Sequence, residues 1–263
     1  MKKMKTLLLY ALCVCLLFSC NKSKKSDTLI FESTTIENTA CSNCPNVSIT
    51  FPKAVEKTKI SETINSTLQR NIITTLLFDE SLKIDSIPDA ISSFTSAFNE
   101  LQKQYIDESA IWEAKINAEI TYENPSILSI ELNTYLFTGG AHGYTSVQLL
   151  NFDKKQGNAL KNSELFKDSL IFQNYAETQF RKQEKIALEQ PINHTGFMFD
   201  NNTFYLPENI GYTKNGIQLL YNQYEVASYA DGPIKLVLPY ATVKEYLALN
   251  HTKASSEDLD SKE

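Results

Sequence analysis

The sequence predicts an α+β fold: antiparallel sheets with helices packed on them, in two similar-sized subdomains. Three observations predict it. Apolar residues recur at helical spacing over residues 57–105 and again over 168–190. They alternate with polar residues at period two over 115–152. Helical and strand-like segments are clustered rather than strictly alternating, which favours α+β over a doubly wound sheet. The 263 residues suit one large domain or two small ones. Hydrophobic residues at 42% and charged residues at 21% exclude global disorder, collagen and coiled coil.

Lys2, Lys3 and Lys5 precede an apolar run over residues 6–18, the layout of a secretory signal. Leu17-Phe18-Ser19-Cys20 closes it and resembles a bacterial lipobox, although Phe18 is bulkier than the usual residue. By that resemblance residues 1–19 are removed and Cys20 becomes a lipid-bearing N-terminus, a stable membrane anchor. An uncleaved anchor is the alternative. Losing the three lysines leaves 22 bases against 31 acids, a net charge of −9. Such a chain does not adhere to anionic lipid or nucleic acid by charge. Residues 20–27 read as a tether, 28–140 as an N-terminal domain, 141–250 as a C-terminal domain and 251–263 as a disordered tail.

After the signal and Cys20, only Cys41 and Cys44 remain. A CxxC pair serves as a structural disulfide, a redox couple or half a zinc site. The oxidising compartment favours the disulfide. Neither a second CxxC nor a suitably spaced His pair completes a zinc site.

Residues 28–37 read as a first strand and 47–51 as a second. Ile60, Ile64, Leu68, Ile72 and Leu76 recur every four residues and predict a helix over 57–78. Ser86 caps a second helix with Pro88 in its first turn and a stripe from Ile91 through Phe94, Phe98 and Leu101 to Tyr105. Ile116, Ala118 and Ile120 alternate with polar residues. After Asn124-Pro125 so do Leu128, Ile130, Leu132 and Leu136, and residues 144–152 complete a meander with one solvated face. A helical turn at 163–167 and a helix over 168–190 follow, with Ile171, Phe172, Tyr175, Phe180 and Ile186 expected to be buried. Strand-like pieces at 203–206, 209–212, 217–221 and 234–238 lead to a closing helix over 239–249.

Three segments carry a wider pattern. Tyr135 to Gly143 holds the loop Gly139-Gly140-Ala141-His142-Gly143 and runs on to Asn151-Phe152-Asp153. Gly157 and Leu160 lead to Leu165-Phe166. Gly216-Ile217, Tyr221, Tyr224-Glu225-Val226-Ala227, Tyr229-Ala230, Gly232 and Leu238-Pro239-Tyr240 complete the set. Together they resemble the extracytoplasmic domain pair of RsiV-type anti-sigma factors and the N-terminal region of PdaC-type peptidoglycan deacetylases. Both halves are often catalogued only as domains of unknown function. The resemblance implies a recognition module. RsiV-type proteins use this region to bind lysozyme, and the deacetylases carry their catalysis on a separate metal-dependent domain. Only residues 1–19 precede Cys20, so sigma-factor control by this chain alone is not expected.

His142 is the sharpest single residue. Its three-glycine loop can admit a partner close to the backbone. The imidazole then either bonds a sugar or a carboxylate or simply fixes the turn. Tyrosines crowd the C-terminal third and offer contact area for stacking or for an interface. The expected binding residues are Gly139, Gly140, His142, Tyr144, Tyr224, Glu225 and Tyr229. An acid/base pair could be drawn from Glu131, Asp153 and Glu225, but nothing in the sequence pairs them. No catalytic residue, metal site or cofactor is therefore expected. The function expected is a lipid-anchored, non-catalytic envelope module that binds a peptidoglycan fragment or a lysozyme-like protein. Alternatives are an envelope hydrolase using His142 with a nearby carboxylate, and a structural component of an outer-membrane complex.

Overall fold

The structure, a computed structural model, describes residues 29–38, 44–78, 81–105 and 110–249. Cys20, Cys41, the tether and the tail lie outside the described residues. Cys44 is disulfide-bonded.

Five strands form the first sheet in the order of the chain: β1 (Phe31–Asn38), β2 (Asn46–Ala54), β3 (Glu113–Glu123), β4 (Ile127–Phe137) and β5 (Tyr144–Asp153). The pairings β1–β2, β3–β4 and β4–β5 are antiparallel, as expected of the meander. The pairing β2–β3 is parallel, which the expectation of antiparallel sheets missed. The chain between these two strands forms α1 (Lys59–Leu76) and α2 (Ile87–Gln104). A parallel neighbour needs such a crossover to return the chain to the starting end.

Local chemistry sets both helices. Thr58 caps α1, its hydroxyl oxygen accepting from the Ser61 N–H at 3.1 Å. Ser86 caps α2 in the same way through the Asp89 N–H, with Pro88 in the first turn where no N–H is needed. Ile64, Leu68, Ile72 and Leu76 are buried against the sheet. There they meet Val47 and Ile49 of β2, Ala114 and Ile116 of β3, and Ile130 and Leu132 of β4. Phe94 and Phe98 of α2 close on Trp112, with ring centroids 5.2 and 5.8 Å apart.

The second half builds a three-stranded antiparallel sheet, β6 (Asn209–Thr213), β7 (Gly216–Tyr221) and β8 (Ile234–Pro239). A short α3 (Asn162–Leu165), α4 (Ser169–Glu184) and the single turn α5 (Tyr240–Val243) accompany it. Phe172, Ala176 and Phe180 of α4 repeat every four residues and are fully buried. Ile171, expected inside, is 57% exposed, because it stands one position out of phase with that stripe. The helix stops at Glu184, short of Pro191. Lys185 takes a left-handed conformation there, and Arg181 Nη1 donates to the Ala187 and Gln190 carbonyls. Residues 203–206 are extended but join no ladder. Phe204 is buried, and its carbonyl accepts from Gln173 Nε2. The closing helix is one turn long, and Leu247 then bridges to Phe166.

The two halves are joined along β5. One edge of β5 pairs with β4 from Ile127↔Asp153 to Leu136↔Tyr144, so the expected division at 140/141 cuts through a sheet that runs on to Asp153. Its other edge is closed by side chains. Asn222 Oδ1 accepts from the Val147 N–H and its Nδ2 donates to the Val147 carbonyl, at 2.8 and 3.0 Å. Asn209 Oδ1 accepts from the Leu149 N–H. Buried Asn151 donates to the Ile210 carbonyl at 2.7 Å and accepts from the Ser129 hydroxyl and the Tyr212 N–H. These amides do what a sixth strand would do, and they shield an edge open to wrong pairing. Leu220 of β7 covers Val147 and Leu149 on the face away from the helices.

The sheet has a direction. The chain enters β1 where Phe31 pairs with Ala54, at one end. The β4–β5 loop leaves from Phe137, which pairs with Glu113, itself beside Asn46 at the other end.

Candidate functional site

The β4–β5 connection is the three-glycine loop. Gly139 and Gly140 have φ of 99° and 87°, values that side chains avoid, so the turn requires them. Gly143 serves differently. A Cβ there would overlap the Tyr135 ring, so the loop backbone rests directly on that ring. Sequence reasoning passed over Tyr135 as a site residue. The available signal was its place among the polar residues of its strand, where an aromatic ring faces away from the helical core.

His142 is exposed at the crest of this loop. Its Nδ1 lies 3.2 Å from the Gly143 carbonyl oxygen. Its ring stacks on Tyr229 with centroids 4.4 Å apart and planes at 23°. Tyr229 in turn lies 5.5 Å from Tyr224 at 32°. Three rings from two distant segments thus form one surface ladder.

The second segment is shaped to hold its rings there. Asn222 anchors it to β5. The Asn222 N–H donates to the Glu225 carboxylate at 2.8 Å, and the Glu225 N–H donates to the Asn222 carbonyl. This closed turn puts Tyr224 at φ 67°, a left-handed conformation that is costly for an aromatic residue, and leaves it 57% exposed. Ser228 and Asp231 cap the short turn that carries Tyr229, the Ser228 hydroxyl donating to the Asp231 carboxylate at 2.6 Å. Burial raises the Glu225 carboxyl above its ordinary pKa. The Asn222 N–H opposes that rise and the nearby Glu208 adds to it.

The structure therefore brings Gly139, Gly140, His142, Tyr224 and Tyr229 together. It sets Glu225 beneath them as a brace, its carboxylate turned to Asn222. Tyr144 is placed elsewhere. It pairs with Leu136 and so shares the helix-side face, while Thr145 and Val147 share the face of the ladder's anchor. Among the described residues there is no cluster of three or more metal-ligating side chains. No helix among them is long and apolar enough to cross a membrane.

With this geometry described, comparison with known proteins gives the relatives. Residues 163–241 match the family model of a protein of unknown function, DUF3298. Residues 38–145 match that of deacetylase PdaC. The chain resembles a crystal structure of a DUF3298 family member from Bacteroides fragilis at TM-score 0.65 and 20% identity, over 85% of this chain and 95% of that one. It also resembles a DUF3298 family protein from Pseudomonas aeruginosa at TM-score 0.61 and 20% identity, over 84% and 95%. At that identity the likeness establishes the mixed α and β fold and nothing about a ligand. No curated protein matches the sequence significantly. The two family matches support an extracytoplasmic, envelope-type domain pair of unknown function.

Proposed function

We propose that this chain is a non-catalytic binding module of the bacterial envelope, anchored by lipid on Cys20. Its 139–143 loop and 224–229 segment together engage a cell-wall glycan or a glycan-acting protein such as lysozyme. The observation that carries this reading is the exposed ladder of His142, Tyr229 and Tyr224, with Tyr224 held in a strained backbone conformation. Aromatic rings displayed at a surface and fixed from below suit stacking against a sugar ring or a protein anchor. Strain kept at an exposed aromatic residue is the mark of a site rather than of a core. The chain's acidity favours encounter with a basic protein. A hydrolase would need a carboxylate on the His142 imidazole. Its Nδ1 instead meets the Gly143 carbonyl, which favours binding over catalysis.

Calorimetric titration of the detergent-solubilised full chain with lysozyme, and separately with solubilised peptidoglycan fragments, tests the reading. Binding at micromolar affinity or better to one of them is expected, weakened about tenfold or more by Tyr224→Ala. Absence of heat with both, from a folded sample, overturns it.

A further inference from the structure

The ladder does not stand alone. On the face of the first sheet turned away from the helices, strand pairing sets side chains in rows. Ser48, Lys115, Tyr135 and Thr145 form one row across β2 to β5. Thr50, Asn117 and Asn133 form the next. These two rows are the floor of an open groove of about 380 Å³, within the usual range for small-molecule sites of roughly 300–1,000 Å³. Tyr135 connects it to the ladder, because the loop carrying His142 rests on the Tyr135 ring through Gly143.

We infer that this groove is a second subsite for an uncharged linear saccharide, whose chain runs from the ladder across Tyr135 onto the open sheet. The inference rests on the glycan branch of the function proposed above. Two arguments identify the occupant. The first is continuity: a groove that meets a stacking ladder at a shared loop suits a ligand repeating along its length. The second is charge. Lys115, the cation of the groove, is neutralised by Glu113 at 2.6 Å, and its ammonium lies 5.9 Å from the Tyr135 centroid. The next row sets Glu119 directly opposite Glu131, so the border of the groove is negative. A polyanion is repelled there, whereas a neutral polyol is not.

The remaining lining suits hydroxyls, which both donate and accept. Asn117 Nδ2 donates to Glu119 Oε1 at 2.7 Å, and Asn133 Nδ2 donates to Glu131 Oε1 at 3.0 Å. Each amide is thereby oriented, with its carbonyl oxygen and second N–H left to offer. Thr50 adds a hydroxyl beside Asn117.

The test uses N-acetylglucosamine oligomers of two to six units, titrated into the solubilised full chain and its variants. Affinity is expected to rise with length. The double variant Asn117→Ala, Asn133→Ala should weaken the six-unit oligomer about tenfold and the two-unit oligomer little. Thr50→Trp, which fills the groove, should do the same, and thermal melting verifies that both variants fold. Equal affinity for short and long oligomers, lost in Tyr224→Ala but untouched by both groove variants, overturns the groove and leaves the ladder reading intact. Binding of lysozyme with no oligomer bound at any length overturns the groove and the glycan branch together.

Discussion

Asn151 offers the sharpest test of how the two halves are held together. It is 2% exposed and makes three hydrogen bonds, two of them to β6 and one to Ser129 of β4. Asn151→Ala removes all three and leaves the Ile210 carbonyl and the Tyr212 N–H facing a buried alanine. At about 1 kcal/mol net for each bond, with a further desolvation cost for the orphaned backbone groups, the loss is about 3–5 kcal/mol. For a chain of this size that lowers the melting temperature by about 8–15 °C. Asn222→Ala is the comparison, since its two bonds to Val147 lie at a half-buried position that water can enter. Its expected loss is about 1–2 kcal/mol. Far-ultraviolet circular dichroism follows both halves, while fluorescence follows Trp112, the single tryptophan, in the first core. In Asn151→Ala the fluorescence transition should fall above the dichroism transition as the halves uncouple. A drop smaller than that of Asn222→Ala, with coincident transitions, would refute the reasoning.

Other predictions follow from single groups. The Tyr212 hydroxyl is buried with no hydrogen-bond partner among the described residues, so Tyr212→Phe should leave stability unchanged or raise it by about 1 kcal/mol in urea unfolding. Tyr221→Phe should instead cost about 1–2 kcal/mol, because its hydroxyl donates to the Tyr205 carbonyl. Gly216 has φ 150°, and a Cβ there would run into the Leu238 carbonyl. Gly216→Ala should therefore cost about 3 kcal/mol or more, read as lost soluble yield and an early melt. Burial raises the folded-state pKa of Glu225 above the unfolded value, so its contribution to stability is full below the unfolded pKa and is lost as pH rises through the folded one. Glu225→Gln should thus melt higher than the parent at neutral pH, with the gap closing as pH falls through the carboxylate range.

What the sequence made legible follows from what periodicity encodes. The α1 stripe of Ile64, Leu68, Ile72 and Leu76 and the alternation of β3 to β5 were readable because burial on one face leaves a repeat in the chain. The parallel β2–β3 pairing was not readable, since alternation gives a strand its faces but not the direction of its partner. Residues 203–206 have strand-like composition, yet Phe204 serves a packed core without a ladder. Ile171 was misplaced by a single step of helical phase. At the site, the glycine loop and the Tyr224–Tyr229 segment each stood out, but their contact depends on Asn222 reaching Val147, a polar pairing across 75 residues with no local signature. Tyr144 was grouped with the ladder by nearness in sequence, and its true face follows only once its pairing with Leu136 is known.

The direction of the first sheet has a consequence for the lipid anchor proposed at Cys20. The end where the chain enters β1 and the loop end are separated by the length of β2, whose nine residues from Asn46 to Ala54 span about 26 Å. The electrostatic potential of a lipid surface decays over about 8 Å at physiological salt. On that proposal the loop crest lies about three decay lengths beyond the end of the sheet nearest the anchor. A ligand arriving there senses the protein's own charges and not those of the membrane, so the salt dependence of capture should be the same on vesicles of anionic and of neutral lipid.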